Sequence, residues 1–121
     1  MTQNILNELS QNTGTEHHFK IPFSKLVYTD GISDLITKCK CWWLISDLGI
    51  EMSQAKSNIL RGEEFLICRI EVDKDKKAVI TLKEDTNEKP IFTKNYEWTD
   101  FPLKEFEFYI IGGVMLLKSE Y

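Results

Sequence analysis

Two small clusters carry residue types that do chemistry, and in both the spacing works against it. Cys39-Lys40-Cys41 supplies two thiols. Thiolates hold zinc or run redox reactions when they converge. On a helix, residues two apart point about 200° away from each other, so one ion is out of reach of both unless the helix breaks at Lys40. No second Cys or His pair stands at zinc-site spacing, and the cysteines read as ordinary buried ones. His17-His18 is metal-like in type only. Neighbours in an extended segment face opposite ways, and no H-E-x-x-H accompanies them. They read as exposed or hydrogen-bonded histidines, with a catalytic or pH-sensitive role as the alternative.

Nucleophilic catalysis needs a serine or cysteine beside a base that a third group orients. No G-x-S-x-G elbow is present, and no Gly-rich loop joins a strand to a helix as a phosphate cradle. The expectation is a protein that is not an enzyme, with no catalytic, cofactor-binding or metal-ligating residues. One pattern points to binding instead. If Phe92, Lys94, Tyr96 and Trp98 share a strand face, a neighbouring strand can add Arg69 or Lys83. Aromatics interleaved with cations on a sheet stack the bases of single-stranded nucleic acid. The competing reading makes these aromatics core and the lysines solvated. Arg69, Lys83, Lys94, Tyr96 and Trp98 therefore stand as a speculative binding surface.

The charge balance favours that competing reading. Fifteen basic residues face nineteen acidic ones, for a formal net charge of −4. Residues 1–64 carry 6 basic and 8 acidic, residues 65–121 carry 9 and 11, so neither half has a basic arm. Proteins that gain affinity by neutralising phosphates normally show a basic excess, which disfavours duplex DNA. The three cysteines cannot all pair within one chain, and the opening residues lack a basic, apolar signal pattern. No apolar run approaches the ~20 residues of a membrane helix. The expected setting is the cytoplasm, with reduced thiols.

The elements that position these residues follow from the hydrophobic period. Ile5, Leu6 and Leu9 mark a short first helix, with Thr2 as its cap and Thr13-Gly14-Thr15 ending it. His17 to Tyr28 reads as extended because Pro22 argues against a helix interior. Asp30 can cap a helix carrying Ile32, Leu35, Ile36 and Cys39 at i, i+3, i+4, i+7. Cys41 to Ile45 is apolar on every side, as in a buried helix, and the stripe shifts phase near Lys40, which predicts a tight break there. Residues 53–61 read as the helix end and a loop to Gly62. Phe65–Val72, Ala78–Glu84 and Ile91–Trp98 read as strands, with turn chemistry at 73–77 and 85–88. Phe106, Phe108 and Ile110 alternate with Glu105, Glu107 and Tyr109, and Gly112-Gly113 supplies a hairpin turn before Val114–Leu117. The predicted architecture is one α+β domain over 1–121. Its helical part spans about 1–62 and packs on one face of an antiparallel meander of about five strands, from about 63 to 121.

Several blocks also resemble a known family. Thr13-Gly14-Thr15-Glu16, Tyr28-Thr29-Asp30-Gly31-Ile32, Trp42-Trp43-Leu44-Ile45-Ser46-Asp47, Asp100-Phe101-Pro102-Leu103 and Leu116 to Tyr121 are similar, in order, to those of an uncharacterised family of small single-domain proteins. Its members come from bacteria, plasmids and phages, and it has no assigned activity or catalytic residues. Relatives often have glycine where Lys40 stands. What the resemblance implies is origin: small acidic proteins of phages and mobile elements commonly bind a host protein, as anti-CRISPR inhibitors of defence effectors do. The expected function is a non-enzymatic protein-binding module that inhibits a host defence nucleoprotein by stoichiometric binding. The alternative is a nucleic-acid-binding accessory using the aromatic and basic sheet face. The partner is thus a host protein or ribonucleoprotein effector, with nucleic acid as the alternative and no membrane.

Overall fold

The period change read from the sequence becomes a helical layer on a sheet. The computed structural model describes residues 2–53, 65–84 and 89–121, with the backbone alone for Thr2. In chain order the elements are α1 (Thr2–Leu9), β1 (His18–Lys20), β2 (Val27–Thr29), α2 (Asp30–Cys39) and α3 (Trp42–Ser53). They continue with β3 (Phe65–Val72), β4 (Ala78–Lys83), β5 (Phe92–Tyr96), β6 (Glu105–Ile111) and β7 (Val114–Leu116), and a 3-10 turn over Lys118–Glu120. The expected cap by the Thr2 side chain, the loop after Ser53 and the turn at 85–88 lie outside the described residues.

The α+β class is as expected, and the sheet is larger and differently ordered than a five-strand meander. Seven strands run β1-β2-β7-β6-β3-β4-β5 among the described residues. Every neighbouring pair is antiparallel except β2 with β7, which is parallel. The chain leaves β5 at one edge and returns on the far side of β3, which a meander does not do. The first half is not purely helical either: β1 and β2 extend the sheet beyond β7. Val27 N–H donates to the Gly113 carbonyl at 3.0 Å, tying the β6–β7 turn to β2.

Register sorts side chains between the two faces. Leu66, Cys68 and Ile70 sit opposite Ile110, Phe108 and Phe106 on one side, and Cys68 and Ile70 sit opposite Leu82 and Ile80 on the other. These form the core with Ile32, Leu35, Leu44, Ile45, Leu48 and Met52 of the helices. The other face carries Arg69, Glu71, Glu105 and Glu107, where Arg69 bonds all three carboxylates at 2.5–3.1 Å. Phe65, Tyr109 and Tyr121 form an aromatic cluster beside them, with centroids 4.7–5.8 Å apart.

The helix break falls where the phase shift predicts it. Lys40 adopts the left-handed conformation, φ 51° and ψ 46°, and its N–H donates to the Ile36 carbonyl. A lysine thus takes the conformation that glycine adopts without steric penalty. The start of α2 corrects the expected cap: Thr29, not Asp30, is the N-cap, its Oγ1 accepting from Ile32 N–H at 3.3 Å. Thr29 is the last residue of β2, so one residue ends the strand and caps the helix.

The adjacent tryptophans of α3 have different roles. Trp43 is half-buried against the core, its ring 5.1 Å from Tyr96, whereas Trp42 is 40% exposed. Trp43→Ala is expected to cost about 2–4 kcal/mol and Trp42→Ala about 1 kcal/mol or less. Denaturant unfolding of the two variants checks this, and equal losses would mean that α3 is rotated from this placement.

Candidate functional site

Three of the sequence blocks distant along the chain meet at the N-terminus of α2. The first four N–H groups of a helix lack intrahelical partners and carry partial positive charge, so acceptors collect there. Glu120 supplies one. Its Oε1 accepts from Thr29 Oγ1 at 2.6 Å and Leu117 N–H at 2.9 Å. Its Oε2 accepts from Thr15 Oγ1 at 3.0 Å and Gly31 N–H at 3.1 Å. Gly31 is required by this approach, because a Cβ there would lie 2.2 Å from Glu120 Oε1.

Asp30 supplies the second acceptor. Its Oδ2 takes the backbone N–H groups of Glu16 and His17 at 2.9 and 3.0 Å, and Oδ1 lies 3.2 Å from His17 Nδ1. The Glu16 N–H above all, together with the His17 contacts, holds the Asp30 carboxyl below the ordinary value of 3.8 against the opposing effect of desolvation. Gln11 to Glu16 and Asp30 line a shallow concavity at this end. Beside it, Lys38 pairs with Glu8 at 2.6 Å and Asp34 at 3.3 Å. Glu8 and Asp34 share Lys38, Asp30 and Glu120 are held by N–H and hydroxyl donors, and the Glu16 side chain is exposed, so this end carries an excess of carboxylates.

The residues expected to form an aromatic and basic platform are divided. Lys94 and Tyr96 sit opposite Ile80 and Ala78, on the face that the helices cover. Lys94 Nζ bonds Asp47 at 2.8 Å and Glu51 at 3.2 Å, and the Tyr96 hydroxyl donates to Asp47. Asp47 holds the Lys94 ammonium above its ordinary range, and burial with Asp47 pushes the Tyr96 phenol up. Arg69 and Lys83 lie on the opposite face, where Arg69 is occupied by three glutamates. Trp98 lies past the end of β5, 67% exposed, near Trp43 and Asp100. The physical reason is the pleat combined with α3: β5 is an edge strand whose inward residues reach past the core to the acids of the helix.

Cys39 and Cys41 are both buried around the left-handed Lys40, and burial pushes their thiols up to about 11 and about 12. Cys68 is fully buried and its thiol is likewise raised. His17 is part of the Asp30 contact, and His18 is exposed on β1. Composition does not single out Glu120 as an anchor among nineteen acids; the S-E-Y block is the one sequence signal for it.

What the fold and site define is an α+β protein with a helical layer on a mixed seven-strand sheet and an acidic end, among the described residues. The chain belongs to a family of unknown function (DUF6876), which it matches over residues 3–121. No curated protein and no solved structure shows a significant match to it. No helix among the described residues is long and apolar enough to cross a membrane.

Removing the Glu120 carboxylate leaves the N–H groups of Gly31 and Leu117 without their acceptor. Glu120→Ala is expected to lower stability by about 2–4 kcal/mol in denaturant unfolding. Asp30 has a folded pKa below its unfolded one, so its contribution is full above the ordinary value and is lost as pH falls through the depressed one. The melting-temperature deficit of Asp30→Asn should therefore be larger near pH 6 than near pH 2.5. An equal deficit at both pH values would mean that the charge is not what Asp30 contributes.

Proposed function

We propose that this protein acts by stoichiometric binding to another macromolecule, as a cytoplasmic protein-binding module of phage or mobile-element origin. Its partner is a host defence nucleoprotein of the kind that anti-CRISPR inhibitors block. The observation that carries the reading is the acidic end around Glu8, Glu16, Asp30 and Asp34, in which Asp30 and Asp34 are positioned by hydrogen bonds and Glu8 pairs with Lys38. An effector that holds nucleic acid presents a basic channel, and an acidic surface is its electrostatic complement. A domain of this size offers the roughly 800 Å² per partner of a standard interface. Support for a non-catalytic role comes from the occupied state of the polar groups: Asp47, Lys94, Tyr96, Glu120 and the Asp30–His17 pair each hold elements together. The nucleic-acid reading of the sheet lacks its platform, because its cations lie on opposite faces.

The test is inhibition of a candidate effector nuclease titrated with the protein at several salt concentrations. The expected endpoint is near one protein per effector, with affinity falling as salt rises because exposed charges are screened beyond roughly 8 Å. Glu8→Lys with Glu16→Lys should weaken inhibition by about tenfold or more. Full inhibition far below one molecule per effector would mean catalysis, and indifference to salt and to both charge reversals would remove the acidic end from the interface.

A further inference from the structure

The flank formed by the β1–β2 hairpin and α3 presents aromatic rings to solvent. Phe19 stacks on Tyr28, with centroids 5.2 Å apart and planes at 27°, and Tyr28 meets the edge of Trp42 at 5.9 Å. Phe19 and Trp42 are 38% and 40% exposed, and Phe23 at the hairpin turn is 94% exposed.

Phe23 is held out against its backbone preference. The Ile21 carbonyl accepts from Ser24 N–H at 3.1 Å, closing a turn with Pro22 and Phe23 at its centre. Phe23 has φ 63°, at the turn position where glycine or asparagine is usual. For a bulky aromatic such a conformation is an outlier, of the kind that clusters at functional sites. The turn is clamped to α3. Ser24 Oγ donates to the Gly49 carbonyl at 2.8 Å, and Lys25 N–H donates to Ser53 Oγ at 2.8 Å. Ile21 lies so close that a Cβ on Gly49 would come within 2.9 Å of it. Trp42, Gly49 and Ser53 fall within about 40° around the helix, so the hairpin runs along α3 for about 16 Å.

Cations flank the rings. Lys25, two residues after Phe23, and Lys40, two residues before Trp42, are exposed, and neither forms an ion pair among the described residues; Lys20 follows Phe19 on β1 and points to the opposite face. The acids of α3, Asp47 and Glu51, are already engaged by Lys94. Lys40 also takes a left-handed conformation. In a chain of net negative charge these two lysines carry positive charge that no ion pair among the described residues uses.

We propose that this flank binds single-stranded nucleic acid, with bases stacking on Phe19, Phe23 and Trp42 and phosphates contacting Lys25 and Lys40. The Phe19–Tyr28–Trp42 group with Lys40 at one end of α3, and Phe23 with Lys25 toward the Ser53 end about 16 Å along the helix, suit a strand of about four nucleotides that stacks at both ends. An acidic peptide would engage the lysines but has no recurring planar group for three separate rings. The flank shares no residue with the acidic end, so this inference stands or falls independently of the inhibitor reading.

The test is fluorescence anisotropy of labelled oligo(dT) and oligo(U), each about 12 nucleotides long, titrated with the full chain. Binding should weaken with salt, with a slope of log K against log salt of about −1.4 for two phosphates. Phe23→Gly relaxes the turn, so it should keep or raise the melting temperature while weakening binding at least about fivefold. Lys25→Glu with Lys40→Glu should abolish binding, whereas Trp98→Ala and Glu16→Lys should not weaken it. Absence of binding at low salt would overturn the proposal. So would wild-type affinity in both Phe23→Gly and Trp42→Ala, which would reduce the surface to diffuse charge. Displacement of the oligonucleotide by polyglutamate as readily as by unlabelled oligonucleotide would assign the flank to an acidic protein instead.

Discussion

The carboxylate of Glu120 is the interaction on which the arrangement of the first half depends. It joins the 3-10 turn after β7 to the loop before β1, the end of β2 and the first turn of α2 through four hydrogen bonds. Those partners lie up to 105 residues away along the chain, so the contact closes most of the fold into one loop. It also neutralises the positive end of α2 from within. Thr29 adds a second function at the same point, since it donates to Glu120 and accepts from Ile32 N–H. A strand end, a helix start and a distant carboxylate thus satisfy one another, and Gly31 is the residue small enough to let them approach.

A second tie acts at the other edge of the sheet. Among the described residues β5 has one strand neighbour, so its inward side chains need partners beyond the sheet, and α3 provides them: Asp47 and Glu51 take Lys94, and Asp47 also takes Tyr96. Such partly buried pairs add little net stability beyond the desolvation they incur. Their effect is geometric. They set the position of α3 along the sheet and leave Trp43 against Tyr96 and Trp42 outward.

These two ties give the molecule surfaces of opposite character. The end near Asp30 is acidic, with Asp30 and Glu120 engaged in hydrogen bonds, whereas the hairpin and α3 flank carries exposed rings and lysines without an ion pair among the described residues. Both readings of the molecule, inhibitor of a nucleoprotein and binder of a strand, describe a protein that works by surface complementarity. They place that work on separate faces, so a nucleoprotein partner could engage both at once.

Much of the fold was legible locally. The i, i+3, i+4, i+7 stripe of α2, the phase shift at Lys40 and the alternation along β3, β4 and β6 are each set by the chain's own period against water, because burial rewards one face wherever it occurs. Strand order was not legible. The parallel pairing of β2 with β7 and the crossover from β5 to β6 are decided by which hydrophobic edges meet, and no local pattern encodes that. The same limit applied to the site. Lys94, Tyr96, Arg69 and Lys83 have the right types for a binding face, yet strand register and the acids of α3 send two of them inward and two outward. Thr29 displaced Asp30 as cap because only the folded chain brings Glu120 to that helix end. Composition determined the class of protein and its acidity. The tertiary structure alone decided which charges are spent on internal contacts and which remain for a partner, since ion pairing depends on distances of a few ångströms between residues far apart in sequence.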